Sequence, residues 1–311
     1  MSGTYSLYGL SIRSDYPLAA PPTDAAPDLV VTAGAPRTVP NEAPPGQQIA
    51  GFRLNADFGS AHVQTDTGYL LRYFRHCEFE LSRDLRQLTA HEDPGAPAGY
   101  LELILTGGAL SVLLNLKGHT VLHASAVTHE GRTWVIAGDS GGGKSSLATT
   151  LCLAGAKAIT DDVLALAERG EQLLCLRGGY GIRVRPHSGR LIEALAGQDT
   201  ADSADGRLVY KAPLVAETVN PISAILLPQL IAGLDHAQAT RLPEKDAFFR
   251  LLGLLRTASW THAPVAETHF KTLGKLAKTV PVIELRLPNS ADWLIERFAP
   301  DLKKIGTDLF I

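Results

Sequence analysis

The sequence predicts an α/β fold: a phosphate-loop core preceded by a smaller, mostly β N-terminal domain. Three observations carry this expectation. The stretch Gly138-Asp139-Ser140-Gly141-Gly142-Gly143-Lys144-Ser145 fits G-x-x-x-x-G-K-[ST]. A β-type run at 133–137 precedes it, and a helix-type run at 145–154 follows, with Leu147, Leu151 and Ala154 at helical spacing and Gly155 placed to end it. A second β-type run, 156–162, then closes on two adjacent acids, Asp161 and Asp162.

The N-terminal domain is expected over 1–99 and the core over 100–311. In the first, 5–12, 29–32, 68–74 and 77–81 read as strands. Residues 17–45 are rich in Pro and Ala, which resist helix and suit extended loops. This domain either recognises a substrate or caps the core. In the core, 101–105 is β-like, 109–116 is an apolar run of either type, and 121–127 reads as a strand. Glu130-Gly131 is a hairpin turn into the strand that feeds the loop. Strand, helix, strand predicts a right-handed crossover with parallel pairing. Both strands would then end at one sheet edge, with Asp161 and Asp162 beside the loop. Residues 163–166 continue extended and Arg169-Gly170-Glu171 turns the chain. The basic, Gly-rich segment 177–186 either lines the cleft or is a solvated loop. Helices are expected at 247–257, 270–278 and 290–298, the last with Ser290 as N-cap, and a strand at 281–287.

Composition narrows the function classes. Hydrophobic residues make up 45% and charged residues 20% of the 311, as in a globular protein. A formal net charge of −3 gives no reason to expect nucleic acid or an anionic membrane as partner. The N-terminus has neither the basic start nor the apolar core of a signal peptide. The best apolar run, 222–234, is too short to span a membrane and contains Pro228 and Gly233. Cys77, Cys152 and Cys175 are too widely spaced for a metal motif and read as reduced thiols, so the cytoplasm is the expected location.

The chemistry of the loop follows from its residue types. Glycines let successive N–H groups turn inward toward phosphate oxygens. Lys144 would bring a positive charge to the β- and γ-phosphates, and the Ser145 hydroxyl would ligate Mg²⁺. A helix N-terminus adds its partial positive charge. The nucleotide contacts are therefore expected at Gly138, Ser140, Gly141, Gly142, Gly143, Lys144, Ser145 and Ser146, with ATP or GTP as ligand. Ser145 and one acid of the pair could hold the metal, while the other accepts a proton from an incoming hydroxyl. Adjacent strand residues point to opposite faces, so the two acids need not share a role. A turn-capping pair is the plainer alternative. His123, near the end of a neighbouring strand, either assists proton transfer or is a structural histidine in an apolar strand.

Leu122-His123-Ala124, the G-D-S-G-G-G-K-S loop and Ile159-Thr160-Asp161-Asp162-Val163 together resemble the core of HPr kinase/phosphorylase. The resemblance is good over about 120–190 and loose beyond. It implies a phosphate-loop kinase core of HPr-kinase type, ATP and Mg²⁺ as cofactors, a serine hydroxyl of a peptide or small protein as acceptor, and homo-oligomeric assembly. It also implies Asp161 as base, Asp162 as the metal-side acid with Ser145, and His123 as catalytic assistant. Two positions depart from the family. Ser146 stands where it has a metal-binding Glu, and Cys175 replaces the acid of its Glu-x-Arg-Gly segment, here Cys175-Leu176-Arg177-Gly178. The N-terminal segment, with Tyr8-Gly9-Leu10 and its prolines, looks more like divergent HPr-kinase-related proteins, some of which resemble kinases acting on the terminal serine of lasso peptide precursors. Two other functions fit the same residues: a nucleotide-dependent regulatory module without efficient transfer, favoured by Ser146 and Cys175, and a small-molecule kinase, for example for free serine.

Overall fold

The computed structural model describes residues 2–309 apart from 54, 56, 57, 140, 187 and 258; beyond residue 300 it describes backbone and the Leu302 side chain. The chain is mixed α/β with several sheets and divides into two compact units, 1–121 with 256–270, and 122–255 with 271–311.

In the first unit, β1 (Gly3–Leu7), β2 (Leu10–Ser14), β3 (Leu29–Ala33), β4 (Gln47–Arg53), β5 (Gly59–Gln64), β6 (Gly68–Tyr73), β7 (Cys77–Ser82) and β8 (Gln87–Glu92) form one sheet, ordered β1-β2-β3-β8-β7-β6-β5-β4. The run expected over 5–12 is a hairpin, because Tyr8 (φ 53°) and Gly9 (φ 75°) form a two-residue left-handed turn that matches strand twist. The segment expected to hold a strand at 101–105 is helical throughout: α1 (Tyr100–Ile104), a π turn (Leu105–Ala109) and α2 (Leu110–Leu116). Leu101, Leu105, Leu110, Leu113 and Leu114 are all buried, and their spacing of four, five, three and one follows a helix face widened by the π turn. Gly108 allows this helix to approach the sheet, since a Cβ there would lie 2.5 Å from the Tyr73 hydroxyl. That packing explains why the compact division falls at 121/122 and not at the expected 99/100. The returning segment 256–270 is tied in by His269 Nε2, 2.6 Å from Asn115 Oδ1, and by the Thr261 N–H donating to the Ile49 carbonyl.

β9 (Thr120–Leu122) leads toward the second unit. There β10 (Ala124–His129), β11 (Arg132–Ala137), β12 (Lys157–Thr160), β19 (Ala224–Ile231), β20 (Gln238–Arg241) and β21 (Val282–Pro288) make the central sheet, ordered β12-β10-β11-β19-β21-β20. Between these run β13 (Leu164–Arg169) and β14 (Gln172–Leu176), which pair as a hairpin, and β15 (Ile182–Val184), β16 (Thr200–Asp202) and β17 (Leu208–Tyr210), which form a small sheet. β18 (Val219–Pro221) pairs with β14. The helices are α3 (Lys144–Leu153), α4 (Gly189–Ala194), α5 (Glu244–Leu252), α6 (Ala263–Thr279) and α7 (Ala291–Leu309). Ser290 caps α7 as expected, its Oγ accepting the Trp293 N–H at 3.3 Å.

Alternation along the central strands sorts side chains into two cores. Trp134 and Ile136 of β11, Leu226 of β19 and Ile283 of β21 pack with Leu147 and Leu151 of α3 and Phe298 of α7. Their neighbours Val135, Ile225 and Val282 pack with Leu251 of α5 and Leu273 and Leu276 of α6. Strands buried on both faces read as continuous apolar runs, which is the pattern at 134–137 and 224–227. Pro228 is tolerated in β19 because β11 pairs only with 224–226 of that strand.

One topological expectation is corrected. β12 does not pair with β11; β10 is inserted between them, antiparallel to both. The two therefore still run in the same direction and end at the same edge. The hairpin closed by Glu130 (φ 47°) and Gly131 (φ 74°) occupies the neighbouring slot before the crossover arrives.

Candidate functional site

The site is built at that common edge. β11 ends at Ala137, and the chain turns through Gly138 and Asp139 into α3. The Gly142 N–H donates to the Asp139 carbonyl at 3.1 Å. Gly141 and Gly143 both stand at φ 87°, a left-handed conformation that side chains disfavour. Lys144 is buried, 6% exposed, and its Nζ donates to the carbonyls of Gly138 and Asp139, each at 2.9 Å. Ser140 lies outside the described residues.

β12 delivers the acids to the same place. The Asp161 carboxylate accepts three groups: the Ser145 hydroxyl at 2.9 Å to Oδ1 and 3.2 Å to Oδ2, the Ser125 hydroxyl at 2.5 Å, and the Arg183 backbone N–H at 2.9 Å. Asp162 follows in the left-handed region at φ 68°. That conformation costs an ordinary residue about 1–2 kcal/mol. It swings the Asp162 carboxylate to the other partner set: His123 Nε2 at 2.9 Å from Oδ1 and the Arg183 guanidinium at 2.6 Å from Oδ2. His123 sits between β9 and β10, where the strand expected over 121–127 is interrupted, and its N–H donates to the Leu254 carbonyl. Both acids lie beyond β12, so the pair is split by the backbone angle at 162 and not by strand alternation, and His123 meets Asp162 and not Asp161, the base that the resemblance implied.

These groups open on one cavity of about 570 Å³. Gly141, Gly143, Lys144, Ser145 and Ser146 line it together with His123, Asp161 and Asp162. So do four arginines, Arg183, Arg185, Arg190 and Arg207. With Lys144, cationic side chains on the wall outnumber the two carboxylates, which suits a polyanion. Leu191, Leu230, Leu294 and Ile295 add apolar lining, Leu230 lying against the glycine loop at Gly143. Arg185 stands over the glycine loop, its guanidinium nitrogens 3.7 Å from where a Gly141 Cβ would be. Behind the wall, Asp205 lies 3.7 Å from Arg183 and 3.2 Å from Arg207.

Sequence reasoning missed Ser125, Arg183 and Asp205. The signal for Arg183 was present in the basic segment 177–186, whose cleft-lining reading holds for Arg183 and Arg185. Ser125 carried no signal, because its role depends on β10 lying between β11 and β12. The cysteines take no part. All three are buried; burial, with the Asp161 charge adding to it, pushes the Cys152 thiol up to about 12, and burial raises Cys77 and Cys175 as well.

No family model and no curated protein matches the chain. Among solved structures, the Hpr(Ser) kinase/phosphatase from Coxiella burnetii is similar over 60% of this chain and 98% of its own, at 14% identity and a TM-score of 0.33. A likeness at that level carries nothing about activity. Among the described residues no helix is long and apolar enough to cross a membrane.

Proposed function

We propose that this chain binds ATP with Mg²⁺ and transfers the γ-phosphoryl group to a hydroxyl of a peptide or small protein. The observation that carries this reading is the Ser145 hydroxyl held on the Asp161 carboxylate, directly after Lys144 and a loop with two left-handed glycines. A hydroxyl and a carboxylate at one point are oxygen donors of the kind Mg²⁺ takes when substrate phosphates and water complete its shell. Bound there, Mg²⁺ would neutralise charge on the β- and γ-phosphates.

The protein's own residues divide the remaining work. Lys144 exchanges its loop carbonyls for phosphate oxygens. The N–H groups at the start of α3 would donate to the same oxygens. Asp161, on Ser145, is the metal-side acid. Asp162, on His123, is the base: it takes the acceptor's hydroxyl proton as the acceptor oxygen bonds to the γ-phosphorus. The bond from that phosphorus to the β,γ-bridging oxygen breaks, and its electron pair leaves on ADP. This exchanges the roles that the resemblance implies for the two acids, because His123 and Ser145 each choose the other partner.

Asp162→Asn should keep nucleotide affinity and lose transfer by about 10²–10⁴-fold, the usual contribution of a general base. Asp161→Asn should instead raise the Mg²⁺ concentration needed for activity. Transfer is read by mass spectrometry on serine peptides. Full activity in Asp162→Asn with loss in Asp161→Asn would restore the opposite assignment. The finer acceptor reading, the terminal serine of a lasso peptide precursor, rests on the resemblance of the N-terminal segment; a free C-terminal serine should then outcompete an internal one.

A further inference from the structure

We infer that Arg183 is the positioning residue that keeps the two acids in separate roles. The inference rests on the proposed phosphoryl transfer and adds to it a residue outside the loop, the acid pair and the histidine. The case is geometric. One residue of β15 reaches both carboxylates by different groups. Its backbone N–H donates to Asp161 Oδ2 at 2.9 Å, a contact fixed by the strand. Its guanidinium donates to Asp162 Oδ2 at 2.6 Å, on the side away from His123.

This matters because Asp162 is in a conformation it would not choose. Its φ of 68° lies in the left-handed region, which strand or helix geometry does not supply. A residue kept in the left-handed region persists when its surroundings over-determine it. Arg183 and His123 grip one oxygen each, and Asp162 lines the cavity. The guanidinium is itself braced: its side chain is 19% exposed, and Asp205, also held by Arg207, stands behind it. Without that grip, Asp162 is free to rotate toward Ser145 and Ser125, where it would compete with Asp161 for the same donors.

The test uses the full chain, with γ-phosphate release from MgATP to water and to serine peptides as the activity readout. ADP affinity by calorimetry and melting temperature serve as readouts independent of turnover. Arg183→Gln should lower kcat about 10-fold or more while leaving the KM for ATP and ADP affinity within about threefold, as expected for a contact acting through a neighbour. Arg183→Lys, which keeps one charged contact, should recover part of the loss. In an Asp162→Asn background, Arg183→Gln should cost nothing further. An equal loss in both backgrounds, or no loss in the single variant while Asp162→Asn is inactive, overturns the inference and leaves the base assignment standing. A matching fall in ADP affinity and melting temperature would reduce Arg183 to a structural residue and also overturn it. Should Arg183→Gln not fold, Asp205→Asn loosens the same guanidinium from behind and is expected to lower kcat in the same Asp162-dependent way; an unchanged kcat overturns the inference. If neither Lys144→Ala nor Asp162→Asn changes turnover, the proposed function itself fails.

Discussion

Two histidines in the first unit make its stability depend on acid. His62 is 2% exposed and His269 3% exposed, and burial lowers the pKa of each from 6.5 to about 4. Both are therefore neutral in the fold. His62 Nδ1 has no hydrogen-bond partner among the described residues, while His269 donates from Nε2 to Asn115. The unfolded chain binds protons from about pH 6.5 downward and the folded chain does not until about pH 4, so stability is complete above the first value and falls as pH drops toward the second. At about pH 5 each site favours the unfolded state by roughly 2 kcal/mol, the gap between the two titration curves at about 1.36 kcal/mol per unit. The pair together remove about 4 kcal/mol, a large share of the roughly 5–15 kcal/mol that a domain has. Urea melts followed by circular dichroism at about pH 7.5 and about pH 5 measure the difference. The same melts on a chain carrying His62→Gln and His269→Gln should show most of the pH dependence gone, whatever the variant's stability at neutral pH. An unchanged pH dependence in that variant would refute the reasoning, because other carboxylates and histidines would then be its source.

The site gives two more expectations. Lys144→Ala removes a buried ammonium aimed at the loop, and should weaken ATP binding by about 10- to 100-fold, the worth of one to two charge-assisted hydrogen bonds, in a calorimetric titration. Ser146→Glu adds a carboxylate to the cavity wall in the first turn of α3, beside Ser145. It should lower the Mg²⁺ concentration for half-maximal turnover and weaken binding of metal-free ATP by like-charge repulsion; an unchanged metal dependence would place residue 146 outside the metal's reach.

Elements with a local cause were legible in the sequence. The loop and α3 were, because left-handed glycines, a buried strand and a helical period are each written within a few residues. So was Ser290 as a cap. What failed were placements set by distant chain. The stretch 101–105 has the alternation of a strand, but its leucines continue at helical spacing to 114, and Gly108 against Tyr73 decides the matter from another element. The pairing of β12 with β10 was hidden because strand, helix, strand says which way two strands run and not what lies between them. The exchange of partners between Asp161 and Asp162 turns on one backbone angle at residue 162, for which the sequence carries no mark.

The departures at Ser146 and Cys175 look alike in sequence, but the structure separates them. Cys175 lies in β14 with no exposed surface, packed in the core that holds Leu164 and Leu166. Its position does not open on the cavity, so the residue there bears on folding and not on metal binding. Ser146 does line the cavity and is a true difference in its charge. The same cavity is lined by Arg185 and Arg207, while Arg183 is taken up by the two carboxylates. An arginine cannot ligate a cation, but it neutralises phosphate oxygens directly and with fixed geometry. Under the proposed function, such guanidinium groups would supply charge to a polyphosphate from the protein itself. The arginines of 185–207 are therefore the part of the cavity wall whose replacement tests whether protein-held charge is used there.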